Sequence, residues 1–511
     1  MMLRKSLAIL GTALALSTAV FAHDNAHEQH TVKIAAPWEI TSFDLAISGY
    51  VIQKLEIMEN LVDADENGVL RAGLATSWTA SDDAMTWRFT LRDNVTFHDG
   101  TAFNANTALK ALTRAWEQPG VLSKAPIKAI KAEDNAIIFE MEKAFAALPA
   151  LLAHATTIIP APASFDDTGA PIAFIGTGPF KVSAYTPPQS MDLERNDNYW
   201  GEKAKIMHAS YLAAGRAETR ALLAETGDAN LVFTFDPAGF NGLQDVENVE
   251  TIAVPIPRVV TLKVNASHPF FADAKARQAL SLAIDRQAIA TSIVRFPEAA
   301  AGQLFPPALN SWHNPSLPKL EYNMDKAKML LAELGWQKGE DGILIKDGER
   351  FAIQLRTFPD RPELPLIATV LQASWKEIGI ELDVSVANYS QIPAGHQDGS
   401  LHVALYARNY GLTPDPIGTV LQDFAVGGGD WGAMGWDNIQ VAQALEEIAA
   451  TGDSEERAKN IALVSAIIQE ELPLIPITWY QHTASVDAGL ENVIIDPLQR
   501  NYGLSAMRWK K

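Results

Sequence analysis

The segment Tyr406-Ala407-Arg408-Asn409-Tyr410-Gly411-Leu412-Thr413-Pro414-Asp415-Pro416 concentrates side chains that could grip a small molecule. An apolar strand over 401–406 ends here and a loop begins. In α/β proteins the ends of such strands open onto the crevice where ligands bind. The Arg408 guanidinium would offer aligned N–H donors to a carboxylate. Tyr406 and Tyr410 would offer aromatic walls. The competing reading has Asp415-Pro416 merely starting the next element and Arg408 pairing with an internal acid. Arg258, Arg356 and Arg361 are further candidates for holding a carboxylate. The run Gly427–Gly429 followed by Trp431 reads as a glycine loop carrying an aromatic.

Metal chemistry has one candidate. His23, His27 and His30 in HDNAHEQH could together hold nickel, zinc or copper; the alternative is a loose polar tail. The HEQH spacing is not that of a zinc protease. His154 interrupts the apolar run 148–159 and is either a core residue or a cleft residue. No Gly-x-Ser-x-Gly elbow, Walker loop or cysteine nucleophile occurs. Gly176-Thr177-Gly178-Pro179-Phe180 lacks the lysine of a phosphate loop. The expectation is a binding protein, not an enzyme, with no required cofactor.

Composition narrows the class. The formal charge of the 511 residues is −20, poorly suited to nucleic acid or anionic lipid. Arg4 and Lys5 precede an apolar run, 7–21, and Val20 and Ala22 fit a cut before His23, so 1–22 reads as a secretory signal. With no cysteine, neither disulfides nor an N-terminal lipid is available. The expectation is a periplasmic monomer without membrane insertion. A chain this long needs at least two domains.

The elements that must position these residues show in the periodicity. Strands are expected at 32–36, 259–264, 351–357, 380–386, 401–406 and 473–479, with helices at 50–61, 272–289, 325–336, 364–378, 441–451 and 454–471. The stretch 351–386 reads as strand–helix–strand, the unit of an α/β lobe. Between Trp78 and Trp116, Trp87, Phe89 and Leu91 alternate with Arg88, Thr90 and Arg92 as in a half-buried strand. Asp99-Gly100 turns the chain, and Asn104 can cap a helix bearing Leu109, Leu112 and Trp116.

That order, Trp-x-Phe-x-Leu-Arg, then Phe97-His98-Asp99-Gly100, then Phe103-Asn104-Ala105, resembles the family 5 extracellular solute-binding proteins of peptide and nickel ABC importers. Leu74-Ala75-Thr76-Ser77-Trp78 and Arg195-Asn196-Asp197-Asn198-Tyr199-Trp200-Gly201 are similar to further signatures of that family. The resemblance implies a two-lobed α/β periplasmic binding protein of the type II, large cluster C form, with an extra N-terminal subdomain and a hinge. Lobe one would comprise 23–257 plus 475–511, and lobe two 258–474. The crossings would lie at 255–258 and 473–477. Tyr50 would face the cleft, and the closed form would dock on an inner-membrane permease.

The resemblance leans toward the nickel-binding members. Peptide-binding members carry an acid in the loop after Arg408, where this chain has Asn409-Tyr410-Gly411, and Arg408-Asn409-Tyr410-Gly411 is similar to the nickel members' Arg, then Trp-Gly. The histidine that ligates metal in some nickel members is absent from 426–431. The cargo reading is therefore a metal chelate, nickel or a similar metal in a small carboxylate-rich metallophore. The alternatives are a short peptide or opine-like conjugate and, less favoured, a periplasmic hydrolase.

Overall fold

The computed structural model describes residues 31–118, 120–359, 361–426 and 429–510. The expected signal segment, His23, His27, His30, Gly427 and Gly428 lie outside the described residues.

Ten strands, numbered here in chain order, form one large sheet: β1 (Thr31–Ala36), β2 (Phe180–Thr186), β3 (Ser190–Arg195), β4 (His208–Ala213), β5 (Leu231–Phe233), β6 (Val249–Val264), β7 (Ala352–Thr357), β8 (Glu381–Val386), β9 (Val403–Asn409) and β10 (Leu474–Asp487). Their spatial order is β8-β7-β9-β6-β10-β5-β1-β4-β3-β2. The parallel trio β8-β7-β9 belongs to one lobe and the parallel trio β5-β1-β4 to the other. Each has its own core. Val260, Leu262, Val403 and Leu405 pack with Leu371 and Trp375 on one side. Ile34, Val51, Ile52 and Phe233 pack with Ala484 and Val486 on the other.

The two longest strands tie the lobes together. Antiparallel β6 and β10 pair from Val249–Asp487 to Lys263–Leu474. The early half of β6 has only β10 beside it, and the later half also pairs with β9 of the second lobe. On β10 the residues paired with β5 of the first lobe are 484–486. The chain therefore changes lobes near 256–258 on β6 and near 479–482 on β10. The expected second crossing at 473–477 is corrected. Ile475 and Ile477 are fully buried in the second lobe's core, because the apolar run continues as one strand past its two prolines. The boundary expected at 475 moves with it.

The segment around Trp87 forms the extra subdomain. An antiparallel sheet of Ala75–Ala80, Thr86–Leu91, Ala136–Met141 and Ile127–Glu133 packs under the helix Ala105–Glu117. Asn104 caps that helix, its side-chain oxygen accepting from the amides of Asn106 (3.0 Å) and Thr107 (3.1 Å). The subdomain touches the second lobe directly, where Ala146 N donates to Ala449 O at 2.7 Å.

Helix α1 spans Leu45–Lys54, earlier than the expected 50–61. Asp44 caps it by accepting from Ala46 N at 2.9 Å, and Glu56, with φ at 55°, turns the chain away after it. Beyond the helix, Glu59 anchors the chain to three donors. It accepts from Tyr199 Oη (2.8 Å), Trp200 Nε1 (2.9 Å) and Thr177 Oγ1 (2.7 Å). Trp200 is thus a structural residue.

Replacing Glu59 with alanine strands all three donors, each unpaired buried group costing roughly 1–3 kcal/mol. Glu59→Ala is expected to lower the unfolding free energy by about 3 kcal/mol in urea titrations. An unchanged midpoint would contradict this role.

Candidate functional site

Strand alternation sorts the candidate residues. Cross-strand partners share a sheet face, and successive residues point to opposite faces. In the β6–β9 ladder Arg258 pairs with Asn409, Val259 with Arg408, and Thr261 with Tyr406. Arg408 and Tyr406 therefore lie on one face and Arg258 on the other. The arginines do not converge on one crevice.

On the first face the charge is already matched. Helix α3 (Ile417–Phe424; α2, Glu363–Glu377, precedes it) brings Asp423 under β9. Arg408 donates to Asp423 through Nε (2.8 Å to Oδ2) and Nη2 (2.6 Å to Oδ1), and Tyr410 Oη donates to Oδ2 at 2.8 Å. Asp423, Tyr406 and Tyr410 are buried to 1 % exposure or less. Tyr410 packs edge-on against Phe305, and Tyr406 donates to the carbonyl of Trp431 and packs on its ring. The reading of Arg408, Tyr406, Tyr410 and Trp431 as cleft residues is corrected by this packing. Asp423 takes the Nε and Nη2 donors of Arg408, and the rings pack against one another and Phe305.

Two other candidates are also engaged internally. His154 accepts from Thr156 N at 3.1 Å through Nδ1, which caps a single helical turn, and burial pushes it down to about 4. Arg356 donates to Gln354 Oε1, Gln391 O and Ser400 Oγ, fastening the helix Gln391–Gln397 to β7.

The opposite face is different. Between Ile256–Tyr480 and Val259–Trp479 the β6–β10 register skips, leaving Pro257 and Arg258 without partners on β10. Proline supplies no N–H, so a bulge here costs little, and bulges re-aim side chains. The Arg258 guanidinium carbon lies 5.6 Å from the centre of the Tyr480 ring. That of Arg361, in the loop after β7, lies 5.3 Å from the same ring. Tyr480 Oη donates to Glu363 at the start of α2. Burial lowers the proton affinity of Arg258, and Arg361 lowers it further, while Tyr480, Tyr50 and Glu363 oppose this. Neither the Arg258 nor the Arg361 guanidinium has a hydrogen bond or ion pair to a described residue.

The first lobe supplies the facing wall. Tyr50 and Lys54, one turn apart on α1, project the same way. Tyr50 meets Trp38 edge-on at 5.3 Å. Burial raises the Tyr50 phenol, and Arg258 partly offsets this through space. Lys54 Nζ sits 4.4 Å from the Tyr50 ring, 5.0 Å from Trp38 and 5.3 Å from Tyr502. Behind it Tyr502 stacks on Phe233 at 4.6 Å, and Phe233 on His482 at 5.2 Å.

Tyr50, Arg258 and Arg361 are thus brought together from three separate segments, across the place where the lobes meet. Lys54, Tyr480, Glu363 and Trp38 join them and were missed in the sequence. A Tyr-x-x-x-Lys pair on a helix and an aromatic pair, Trp479-Tyr480, where an apolar strand passes its prolines were the available signals. Two guanidiniums against the Tyr480 ring, with no carboxylate of the described residues bonded to either, are chemically able to take a carboxylate.

The family model for bacterial extracellular solute-binding proteins, family 5, matches residues 69–430. The nickel-binding periplasmic protein of Escherichia coli K12 is 26% identical over 465 residues, covering 86% of this chain and 87% of its own. The crystal structure of NikA from Brucella suis in complex with Fe(III)-EDTA aligns with a TM-score of 0.85 at 20% identity, over 94% of this chain and 100% of that one. AppA of Bacillus subtilis in complex with a nonapeptide aligns with a TM-score of 0.73 at 21% identity, over 94% and 99%.

The Arg408–Asp423 pair predicts a stability effect. Removing one partner of a buried pair typically costs ~3–5 kcal/mol. Arg408→Ala is expected to destabilise the fold by about 3 kcal/mol in chemical denaturation, with Arg408→Met/Asp423→Leu recovering most of the loss. Arg408→Ala with an unchanged melt would contradict a structural role.

Proposed function

We propose, for a chain that belongs to family 5 of the bacterial extracellular solute-binding proteins, that its lobes close on an anionic, carboxylate-bearing metal chelate and carry it to an inner-membrane permease. The substrate-binding role in an ABC importer is that of the family. The chelate reading is this chain's own. The observation that carries it is the unpaired Arg258–Arg361 couple against Tyr480. Two half-buried cations close together repel and are incompletely solvated. A dicarboxylate entering between the lobes would relieve both costs at once, and only in the closed form would both lobes contact it. The arginines would then read the chelator's oxygens and leave the metal to the chelator, so that nickel or a similar metal is carried in a small metallophore. The nickel-binding and Fe(III)-EDTA-bound relatives support this chemistry. Periplasmic residence as a monomer completes the reading.

A second reading rests on Glu363, which shares Tyr480 with the arginines. An acid beside two cations suits a zwitterion, its carboxylate on Arg258 and Arg361 and its ammonium on Glu363. A short peptide or an opine-like conjugate fits that description. Glu363→Gln separates the two readings, because it would weaken a zwitterion and spare a chelate.

Calorimetric titration with Ni(II)–EDTA, Ni(II)–histidine, free Ni(II) and a tripeptide tests the proposal. Losing one partner of a desolvated charge pair costs ~2–5 kcal/mol, or about thirtyfold and upward in affinity. Arg258→Ala and Arg361→Ala are each expected to weaken Ni(II)–EDTA binding by about that factor. Their melts should stay unchanged or rise, since each removes a repelled cation. Undiminished affinity in both variants would overturn the proposal.

A further inference from the structure

Lys54 carries a charge for which the fold supplies no counter-ion in contact. Its side chain is 1 % exposed. Its ammonium is boxed by Trp38, Tyr50 and Tyr502 and has no hydrogen bond or ion pair to a described residue. Asp496 attracts it through space, yet that carboxylate is already engaged by Leu498 N and Arg500 N, both at 2.9 Å, and by Arg500 Nη2 at 3.3 Å. Arg258 on β6 and Arg500 in the C-terminal loop repel it. His482 on β10 offers no charge to balance it. Burial holds that imidazole neutral, Lys54 and Arg258 add to the effect, and Gln499 bonds its Nδ1 at 3.0 Å.

We infer that Lys54 is a positioning residue of the cargo site, which takes up a proton when a carboxylate seats on Arg258 and Arg361. This rests on the carboxylate reading of that couple. Tyr50 links the two, since its ring covers the Lys54 ammonium while its phenol senses Arg258. Burial lowers Lys54 to about 7, with Asp496 opposing and Arg258 and Arg500 reinforcing the effect. An anion on Arg258 cancels one repulsion and adds an attraction, so the neutral amine gains its proton. The positively charged ammonium then strengthens the hold on the anion. The site would thereby grip anionic cargo more tightly as pH falls through neutrality.

Fold stability depends on pH in the opposite sense. A lysine lowered from its ordinary value binds fewer protons folded than unfolded, so its contribution to stability increases as pH rises from about 7 toward 10.5. Lys54→Met removes that increase.

The test is titration with Ni(II)–EDTA at pH 7.5 in phosphate and in Tris, whose different ionisation enthalpies report the protons exchanged. If the chelate raises Lys54 by one unit, wild type takes up about half a proton per chelate. Lys54→Met is expected to show no such uptake and weaker binding. Lys54→Arg, which keeps the charge and does not titrate, is expected to bind without uptake, and it serves if the methionine variant fails to fold. Binding by all three with equal uptake would overturn this inference alone. No binding of Ni(II)–EDTA by wild type would overturn the chelate reading, and this inference would fall with it.

Discussion

Everything in this molecule hangs on the pairing of β6 with β10. The ladder runs from Val249–Asp487 to Lys263–Leu474, through both lobes. A continuous ladder satisfies its own backbone and resists bending. Its register skips between Val260 and Thr261, opposite Pro476, and again between Ile256 and Val259, where Pro255 and Pro257 withhold their N–H groups. That interruption has two consequences. It would give the two lobes a place to flex, and it takes Arg258 out of register with β10, beside Tyr480. In the proposed reading hinge and site share one local irregularity, and closure and cargo contact would be mechanically joined.

The two faces of the sheet treat positive charge in opposite ways. Beneath β9, Arg408 is neutralised by Asp423, and Tyr410 completes the carboxylate's bonding. Such a network is satisfied and rigid. Across the sheet, Arg258, Arg361 and Lys54 have aromatic faces for neighbours and no bonded carboxylate among the described residues. Cation–π contact offsets about 0.5–2 kcal/mol per cation, well below the desolvation cost of a buried charge. In the proposed reading an anionic ligand would offset that cost.

Much of the fold was legible from the chain. The helix 454–471 and the strand–helix–strand unit 351–386 announced themselves through periodicity and glycine stops, and the Asn104 cap through its side-chain chemistry. The site was less legible. Arg408 and Arg258 look alike in the sequence, as arginines at the end of an apolar strand with proline nearby. What separates them is ladder register, which puts them on opposite faces, and the position of Asp423, fifteen residues further on. Neither is a local property. Tyr50 was found through family resemblance, while Lys54, four residues on, was passed over because a buried lysine without an acid is rarely expected. The second crossing was misplaced for a related reason. Two prolines at 473–476 read as a boundary, but an edge-free pairing and full burial carried the strand on.

The account's central claim is that Arg258 and Arg361 take the carboxylates of the cargo. A crystal structure of the protein with Ni(II)–EDTA tests it most directly. The account predicts chelator oxygens about 2.7–2.9 Å from both guanidiniums, with the Tyr480 and Tyr50 rings against the chelate. A chelate bound elsewhere, with both guanidiniums still without an anionic partner, would contradict it.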